Sequence, residues 1–204
     1  MTPWASIERL SHTHHLQLFD CGDEWMNCWV RERARKDDRA GRTAVHVGVN
    51  SVGAVVAVYA LNHGSIEVAG GRQELRAVQL QRLAVHRAHQ GRGHGTRLLL
   101  EASRAALVAA SVLPARHFVV EASDEQRASW YEAHGFVRCV GSSPWLSMSI
   151  SSLRATVAAL DAGTATVDAF ERTRTFADSD VRTRSLSAGR FRVRRRGVRG
   201  PGTT

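Results

Sequence analysis

The chain has 204 residues, of which 43% are hydrophobic and 23% charged, and this is the composition of one globular domain with room for a short appendage. A body of about 160 residues can fold without disulfides or a structural metal. The three cysteines, an odd number without a CxxC pair, argue against a disulfide framework and a zinc site. No apolar run approaches the ~20 residues that cross a bilayer, and the N-terminus has no signal-peptide pattern, so we expect a soluble, cytoplasmic protein without a membrane partner.

The net charge of +9 is carried almost wholly by arginine, because Lys36 is the only lysine. Residues 161–204 hold ten arginines against five acids and lack apolar periodicity. Such a composition buries too little surface to order itself. We therefore predict a folded domain over 1–160 and a disordered Arg-rich tail over 161–204. Arginine suits phosphate binding, but the base composition of a genome can also enrich it, so the charge favours an anionic partner only weakly.

The first half of the chain predicts a helix followed by three strands. Asp23 is a plausible N-cap, and the helix after it runs to about Asp38. Its apolar stripe comprises Trp25, Met26, Trp29 and Val30. Val-rich segments predict strands over 43–50 and 52–61, and a longer strand follows over 75–86.

The second half alternates helices with short strands. Helices are predicted over 96–112, from the Asp124 cap to about His134, and over 151–160; strands are predicted over 117–122, 136–140 and 145–150. Gly135 closes the second of these helices in the position that glycine favours. The pattern is that of a mixed α/β chain.

A glycine-rich turn joins the strand that ends in Leu83, Ala84 and Val85 to the next helix. The turn comprises Gln90, Gly91, Arg92, Gly93, His94, Gly95 and Thr96. A helix start offers backbone N–H groups and a positive dipole end to a pyrophosphate, and glycines let the backbone come close. The turn lacks the Lys-Ser/Thr of a P-loop and the spacing of a dinucleotide motif. By itself it leaves a purely structural strand-to-helix turn equally open.

A second motif, Trp130-Tyr131-Glu132-Ala133-His134-Gly135-Phe136, ends the following helix and leads into a strand. Together the two motifs resemble the GNAT superfamily of N-acetyltransferases, whose cofactor loop reads Q/R-x-x-G-x-G/A and whose next helix ends in Y-x-x-x-G-F. The resemblance implies the GNAT fold, in which about four helices flank a twisted mixed sheet of about six to seven strands.

The resemblance also implies acetyl-CoA as co-substrate and gives these residues roles. Backbone groups of the strand 83–85 would bind the pantetheine arm, and the turn 90–96 would hold the pyrophosphate. Tyr131 would donate a proton to the leaving thiolate; the alternative is a tyrosine that only packs in the core. Asp124 stands where the family often has an asparagine that touches the cofactor.

The chain from about residue 5 to residue 155 is similar to the toxin acetyltransferases of toxin–antitoxin pairs. The matching segments are Phe19-Asp20-Cys21-Gly22-Asp23, the helix 25–30, Val56-Ala57-Val58-Tyr59-Ala60-Leu61 and Gln81-Arg82-Leu83-Ala84-Val85. Ala57 and Gln81 depart from the glycines usual there. The resemblance implies acetylation of the α-amino group of aminoacyl-tRNA, a ribbon–helix–helix antitoxin as partner, and a homodimer as one possible assembly.

The basic side chains of the first helix are candidates for binding tRNA phosphates. They are Arg31, Arg35, Lys36 and Arg39, and the alternative is an ordinary solvated helix face. An α-amino group has a reference pKa of about 7.7–8.0, so it needs no strong general base. Glu74 and Glu121 are candidates for a base, though each is more simply a solvated or structural acid.

Two alternatives to the toxin hypothesis stay open at this point. One is an ordinary GNAT enzyme that acetylates a small-molecule or protein amine. The other is a basic nucleic-acid-binding module without catalysis, which the intact loop and Tyr131 argue against.

Overall fold

The computed structural model describes residues 2–67, 74–139, 144–163 and 192–194. The strands are β1 (Ser6–Arg9), β2 (Ala44–Val49), β3 (Val55–Glu67), β4 (Glu74–Val85), β5 (His117–Glu121), β6 (Val137–Arg138), β7 (Trp145–Ser149) and β8 (Arg192–Arg194). The helices are α1 (Glu24–Cys28), which continues through a π-helical segment (Trp29–Arg33) into α2 (Ala34–Arg39), then α3 (His94–Val112), α4 (Glu125–Ala133) and α5 (Ile150–Asp161). A single 3₁₀ turn spans Arg87–His89.

The strands form one mixed sheet in the order β1-β2-β3-β4-β5-β7-β6, and β8 pairs with the outer end of β3. Of the described pairs only β4 and β5 run parallel, joined by the long crossover through α3. The architecture confirms the predicted GNAT fold, a mixed sheet of seven strands in the main path flanked by four helices.

Each face of the sheet carries its own apolar core. On one face, buried side chains of α1, the π-helical segment and α2 pack on β2 and β3, among them Met26, Trp29 and Val30. On the other face, α3 and α5 pack on β3, β4 and β5 through residues such as Leu98 and Leu153. The helices 24–39 and α3 therefore lie on opposite faces of the sheet.

Strand β1 was not predicted, and β6 is shorter than predicted. The four residues of β1 form an edge strand that is half-buried at best and has Ile7 as its one large apolar side chain, so no alternating pattern marks it. The strand predicted over 136–140 is reduced to the two exposed residues Val137 and Arg138, paired at the other edge.

The structure describes only a small part of the predicted tail. Helix α5 extends to Asp161, and Arg192–Arg194 form a strand that pairs antiparallel with Ser65, Ile66 and Glu67 of β3. The disordered tail over 161–204 stays a prediction. The rest of the predicted tail beyond residue 163 lies outside the described residues.

Candidate functional site

The site begins where two neighbouring strands separate. Strands β4 and β5 pair from Ala77↔His117 to Leu80↔Val120, and β4 then continues to Val85 paired with β3 but no longer with β5. A β-bulge lies at the same point, since Leu80 pairs with Leu61 and Arg82 pairs with Ala60, which leaves Gln81 as the extra residue. A bulge bends its strand and strengthens the twist. The bend opens a cleft of about 830 Å³ beside the carboxyl end of β4.

After the bulge, the side chains of β4 alternate between the two faces of the sheet. Leu83 and Val85 belong to the core on the α3 face, whereas Ala84 packs with the core beneath α1. Arg82 points to the same face as Ala84, because its guanidinium lies over the indole rings of Trp25 and Trp29. The cleft therefore passes between the faces, with one wall on the α3 side and the other on the α1 side.

The first wall, the α3 wall, consists of residues 90–91 and 93–96 together with Tyr131. Gly91 and Gly93 have φ of +72° and +70°, a backbone conformation that L residues rarely adopt, and an added Cβ would meet no atom within 4 Å at either. Glycine is therefore required at both positions by the positive φ, and not by a lack of space for a side chain. Gly93 caps α3, and Arg97 N–H makes an early helical bond to the Gly93 carbonyl. The start of α3 thus faces the cleft with the positive end of its dipole.

Gln90 fixes the loop by a contact that the sequence did not predict. Its side-chain Nε2 donates to the carbonyl of Val85 and to the carbonyl of Cys21, both at 2.8 Å. Arg87 adds a backbone bond to the Asp20 carbonyl and an ion pair with the Asp20 carboxylate. The loop is thereby tied to the end of β4 and to the segment that precedes α1. We predicted Gln90 as a cofactor contact, and the structure gives it these bracing bonds as well.

Tyr131 lies near the end of α4 and lines the cleft. Its ring makes edge contacts with Trp130 and Phe136, at centroid distances of 4.9 and 5.5 Å. Burial raises the pKa of Tyr131 to about 12, against a smaller opposing effect of the Arg127 charge. The phenol is therefore protonated at neutral pH, as a proton donor must be.

His134 connects the two motifs, and the sequence analysis assigned it no role. It is almost fully buried, its Nδ1 is 2.7 Å from the Trp130 carbonyl, and its Nε2 is 3.0 Å from the Thr96 hydroxyl. With Nδ1 as the donor, Nε2 accepts the Thr96 proton. This bond joins the first turn of α3 to the end of α4, so it fixes Tyr131 relative to the glycine loop.

Two further polar residues near this wall are Asp124 and His94. Asp124 caps α4 by accepting the Arg127 N–H at 2.7 Å, which lowers the pKa of Asp124, and it is not among the residues that line the cleft. Burial lowers the pKa of His94, with the nearby Arg97 adding to the effect, so the imidazole is neutral at the start of α3.

The second wall, the α1 wall, consists of Cys21, Asp23, Trp25 and Met26 with Arg82. Asp23 caps α1 by accepting the Met26 N–H at 3.0 Å, and its other carboxylate oxygen lies 3.6 Å from an Arg127 nitrogen. Of the predicted apolar stripe of this helix, Met26, Trp29 and Val30 are buried, whereas Trp25 is 65% exposed. Residues at i, i+1, i+4 and i+5 span a wider arc of the helix than the sheet covers. Trp25, at one edge of that arc, therefore faces the cleft.

The basic residues of this helix do not form one surface stripe. Arg31 donates twice to the Phe19 carbonyl, at 3.1 and 2.8 Å, and Arg35 donates to the carbonyls of Ser11 and His14. Both guanidinium groups therefore hold the segment that precedes α1, and both are half-buried. The π-helical segment contains Arg31 and precedes Arg35 of α2, and its extra residue changes the register that simple i+4 counting assumes. Lys36 and Arg39 are exposed.

Nine of the ten predicted cofactor residues line the cleft together with Tyr131: Leu83, Ala84, Val85, Gln90, Gly91, Gly93, His94, Gly95 and Thr96. Arg92 is exposed at the tip of the loop and is not part of the lining. Of the two candidate bases, Glu121 lines the cleft, whereas Glu74 begins β4 at the end remote from it.

The arrangement supports group transfer from an anionic, extended cofactor. An unpaired strand edge, a helix start with two left-handed glycines and a protonated phenol converge on one cleft. Within residues 2–67, 74–139, 144–163 and 192–194, no cluster of His, Cys, Asp or Glu could hold a metal ion. No helix among these residues is long and apolar enough to span a membrane.

Comparison with known proteins assigns the class. Residues 41–138 match the sequence model of a family described as "Acetyltransferase (GNAT) domain", which confirms the predicted resemblance. The glycine loop and Tyr131 both lie within the residues that match this acetyltransferase model.

Relatives define a narrower group within this class. A tRNA-acetylating toxin of Mycobacterium tuberculosis is 29% identical over 139 residues, which cover 64% of this chain and 83% of that protein. A tyrosine-to-phenylalanine mutant of the toxin AtaT, solved with the C-terminus of the antitoxin AtaR and acetyl-CoA, is 26% identical with a TM-score of 0.68. The AtaTR complex with acetyl-CoA is 25% identical with a TM-score of 0.69. Each structural match covers 74% of this chain and 96% of the other.

Proposed function

We propose that this protein is an acetyl-CoA-dependent N-acetyltransferase that acetylates the α-amino group of aminoacyl-tRNA and so blocks translation as a toxin. The observation that carries the proposal is the shared cleft. One of its walls has a helix start suited to pyrophosphate, the strand edge that β5 leaves unpaired, and Tyr131. The other wall has the exposed indole of Trp25, with the Arg82 guanidinium over its ring. The similarity to tRNA-acetylating and antitoxin-bound toxins supports this choice of acceptor.

Acetyl-CoA occupies the α3 wall in this proposal. The pyrophosphate lies at the start of α3, where the helix dipole and the backbone of residues 91–96 stabilise its negative charge. The pantetheine arm extends along the β4 edge that β5 leaves unpaired, as an added strand would. The thioester then lies near Tyr131, at the point where the two walls meet.

The chemistry needs little more than positioning. The α-amino nitrogen attacks the thioester carbonyl, the C–S bond breaks as the N–C bond forms, and the nitrogen loses one proton to solvent. A neutral amine near its pKa of about 7.7–8.0 attacks without a strong base. Tyr131 gives its proton to the thiolate that leaves. The burial that raises the Tyr131 pKa keeps the phenol protonated and opposes loss of its proton, whereas the same burial disfavours the charged thiolate and so favours proton transfer to it. Solvent then returns a proton to Tyr131.

A direct assay with labelled acetyl-CoA tests the proposal. We expect label on the amino acid of charged tRNA and none on uncharged tRNA. The Tyr131→Phe protein is the matched inactive control. Expression without an antitoxin should arrest growth, and Tyr131→Phe should relieve the arrest. Label that appears on polyamines or lysine peptides and never on charged tRNA would instead support a generic GNAT enzyme that acetylates a small-molecule or protein amine.

The proposed partners follow from the same function. A toxin of this kind acts in the cytoplasm and needs a ribbon–helix–helix antitoxin encoded beside it. Co-expression with the product of an adjacent gene of that fold should restore growth. Copurification of the two proteins is the physical measurement of the contact.

A further inference from the structure

The exposed indole of the α1 wall is held as a flat surface by its neighbours. The Cζ atom of Arg82 lies 4.3 Å from the centre of the Trp25 ring and 5.4 Å from that of Trp29. Arg82 thus covers one face of the Trp25 indole, and the 65% exposure of the side chain leaves the remainder open at the cleft. A large apolar group in this position indicates a binding surface, since an unused indole gains more by burial.

The parts of this surface are fixed before any ligand arrives. Trp29 is buried, and its Nε1 donates to the Asp37 carboxylate at 3.0 Å, which also accepts two bonds from Arg42. Arg82 Nη1 donates to the Gln81 carbonyl at the bulge. The backbone carbonyl of Gln81, the extra residue of the bulge, therefore positions the Arg82 guanidinium between the two indoles.

We propose that Trp25 and Arg82 form a stacking platform for the terminal nucleobase of the acceptor RNA. The proposal rests on the proposed function and adds to it the contact by which the 3′ end is recognised. An indole backed by a guanidinium offers a π face together with positive charge, the combination that binds bases of single-stranded nucleic acid. The amine that reacts is esterified to the ribose of this same nucleotide. A base stacked on the α1 wall thus brings the amine to the gap where β4 leaves β5.

The first test measures binding without chemistry. The full-length protein is saturated with CoA, so that the cofactor's own adenine cannot compete, and a short RNA ending in CCA is titrated in. An RNA of the same length with an abasic 3′-terminal nucleotide is the comparison ligand. We expect the intact end to bind about 5- to 150-fold more tightly, which corresponds to the roughly 1–3 kcal/mol of one stacked base. Trp25→Ala should remove this difference, and Trp25→Phe should keep most of it.

The second test measures turnover with two small acceptors. One is an amino acid esterified to the 3′ hydroxyl of adenosine, and the other is the methyl ester of the same amino acid. Trp25→Ala should raise KM for the adenosine ester by a factor in the same range and should raise KM for the methyl ester, which has no base to stack, by much less. Val112→Ala, which truncates a 75% exposed apolar residue at the far end of α3, is the matched control and should change neither.

The outcomes separate the platform from the function it rests on. Equal losses with both esters, or equal binding of intact and abasic ends by the wild-type protein, would overturn the platform. A loss of activity that depends on which amino acid is esterified, and not on the presence of the base, would overturn the platform too. It would show that Trp25 contacts the aminoacyl group. Selective binding of the intact end without acetylation of any aminoacyl substrate would uphold the platform and reject the proposed function.

Discussion

The α3 wall and the α1 wall of the cleft differ in the groups that they offer to a ligand. The α3 wall offers mainly backbone: a helix start, two glycines with positive φ and the edge of β4. The α1 wall offers side chains, chiefly the indole of Trp25 and the guanidinium of Arg82. A backbone site suits a cofactor that never changes, because its geometry is set by the local chain path. A site made of side chains can change its ligand by a few substitutions without disturbing the fold.

The largest expected effect concerns the Tyr131 hydroxyl, the side-chain group of the α3 wall that takes part in the proposed reaction. Tyr131→Phe removes a hydroxyl and almost no volume, so the fold and acetyl-CoA affinity should persist. Loss of a general acid should lower kcat by about 10²- to 10⁴-fold. Steady-state kinetics with charged tRNA, beside calorimetry with acetyl-CoA, measures both quantities. A variant that keeps most of its kcat would make Tyr131 a packing residue only.

The acid should also shape the pH profile. Because the Tyr131 pKa lies near 12, the donor stays protonated throughout the range in which aminoacyl esters survive. The rate should therefore rise with pH as the acceptor amine loses its proton, at or below about pH 8, and then stay level. A fall in kcat/KM between pH 8 and pH 9 would show that a group of lower pKa donates the proton.

A smaller effect is expected from the glycine loop. Gly93→Asp forces an L residue to φ near +70° and places a carboxylate at the helix start, where it would compete with pyrophosphate. The acetyl-CoA Kd should rise at least tenfold. Gly93→Ala is the matched control, since it adds the backbone strain of about 1–2 kcal/mol without the charge. An unchanged Kd in folded Gly93→Asp protein would reject the loop as the pyrophosphate site.

The smallest effects distinguish two kinds of basic residue on the helix above the α1 wall. Lys36→Glu with Arg39→Glu should raise KM for tRNA several-fold and make the salt slope shallower by roughly 0.7–0.9 per lost phosphate contact. Arg31→Ala should instead lower the melting temperature, because it leaves the Phe19 carbonyl without its two donors. Equal salt dependence in wild type and the double mutant would leave these two residues as a solvated face.

The α3 wall was predictable from the sequence because its parts are consecutive. Glycines before a helix, and a tyrosine before Gly135 and Phe136, record local backbone geometry. Three features of the site depend on residues that are distant in the chain. The splay of β4 needs the bulge at Gln81 against β3, the His134–Thr96 bond joins two helices, and Arg82 of β4 meets Trp25 of α1 on one face of the sheet. Their residue types are visible in the sequence, but no local spacing indicates that they meet.

The basic helix shows the opposite limit, in which a clear spacing misleads. Arg31 and Arg35 are four residues apart and suggest one exposed stripe. The π-helical segment changes the register, and nearby carbonyls accept bonds from both side chains. A single inserted residue in the hydrogen-bonding ladder leaves no mark in composition or periodicity.

The central claim is that each wall binds one substrate. It is tested most directly by measuring the binding of both substrates in one variant from each wall. Acetyl-CoA Kd by calorimetry and KM for aminoacyl-tRNA by labelled acetyl transfer are measured for Gly93→Asp and for Trp25→Ala. We predict that Gly93→Asp raises only the acetyl-CoA Kd and that Trp25→Ala raises only the KM for aminoacyl-tRNA. If Trp25→Ala weakens acetyl-CoA binding as strongly as Gly93→Asp does, the two walls form one cofactor site and the division between them is wrong.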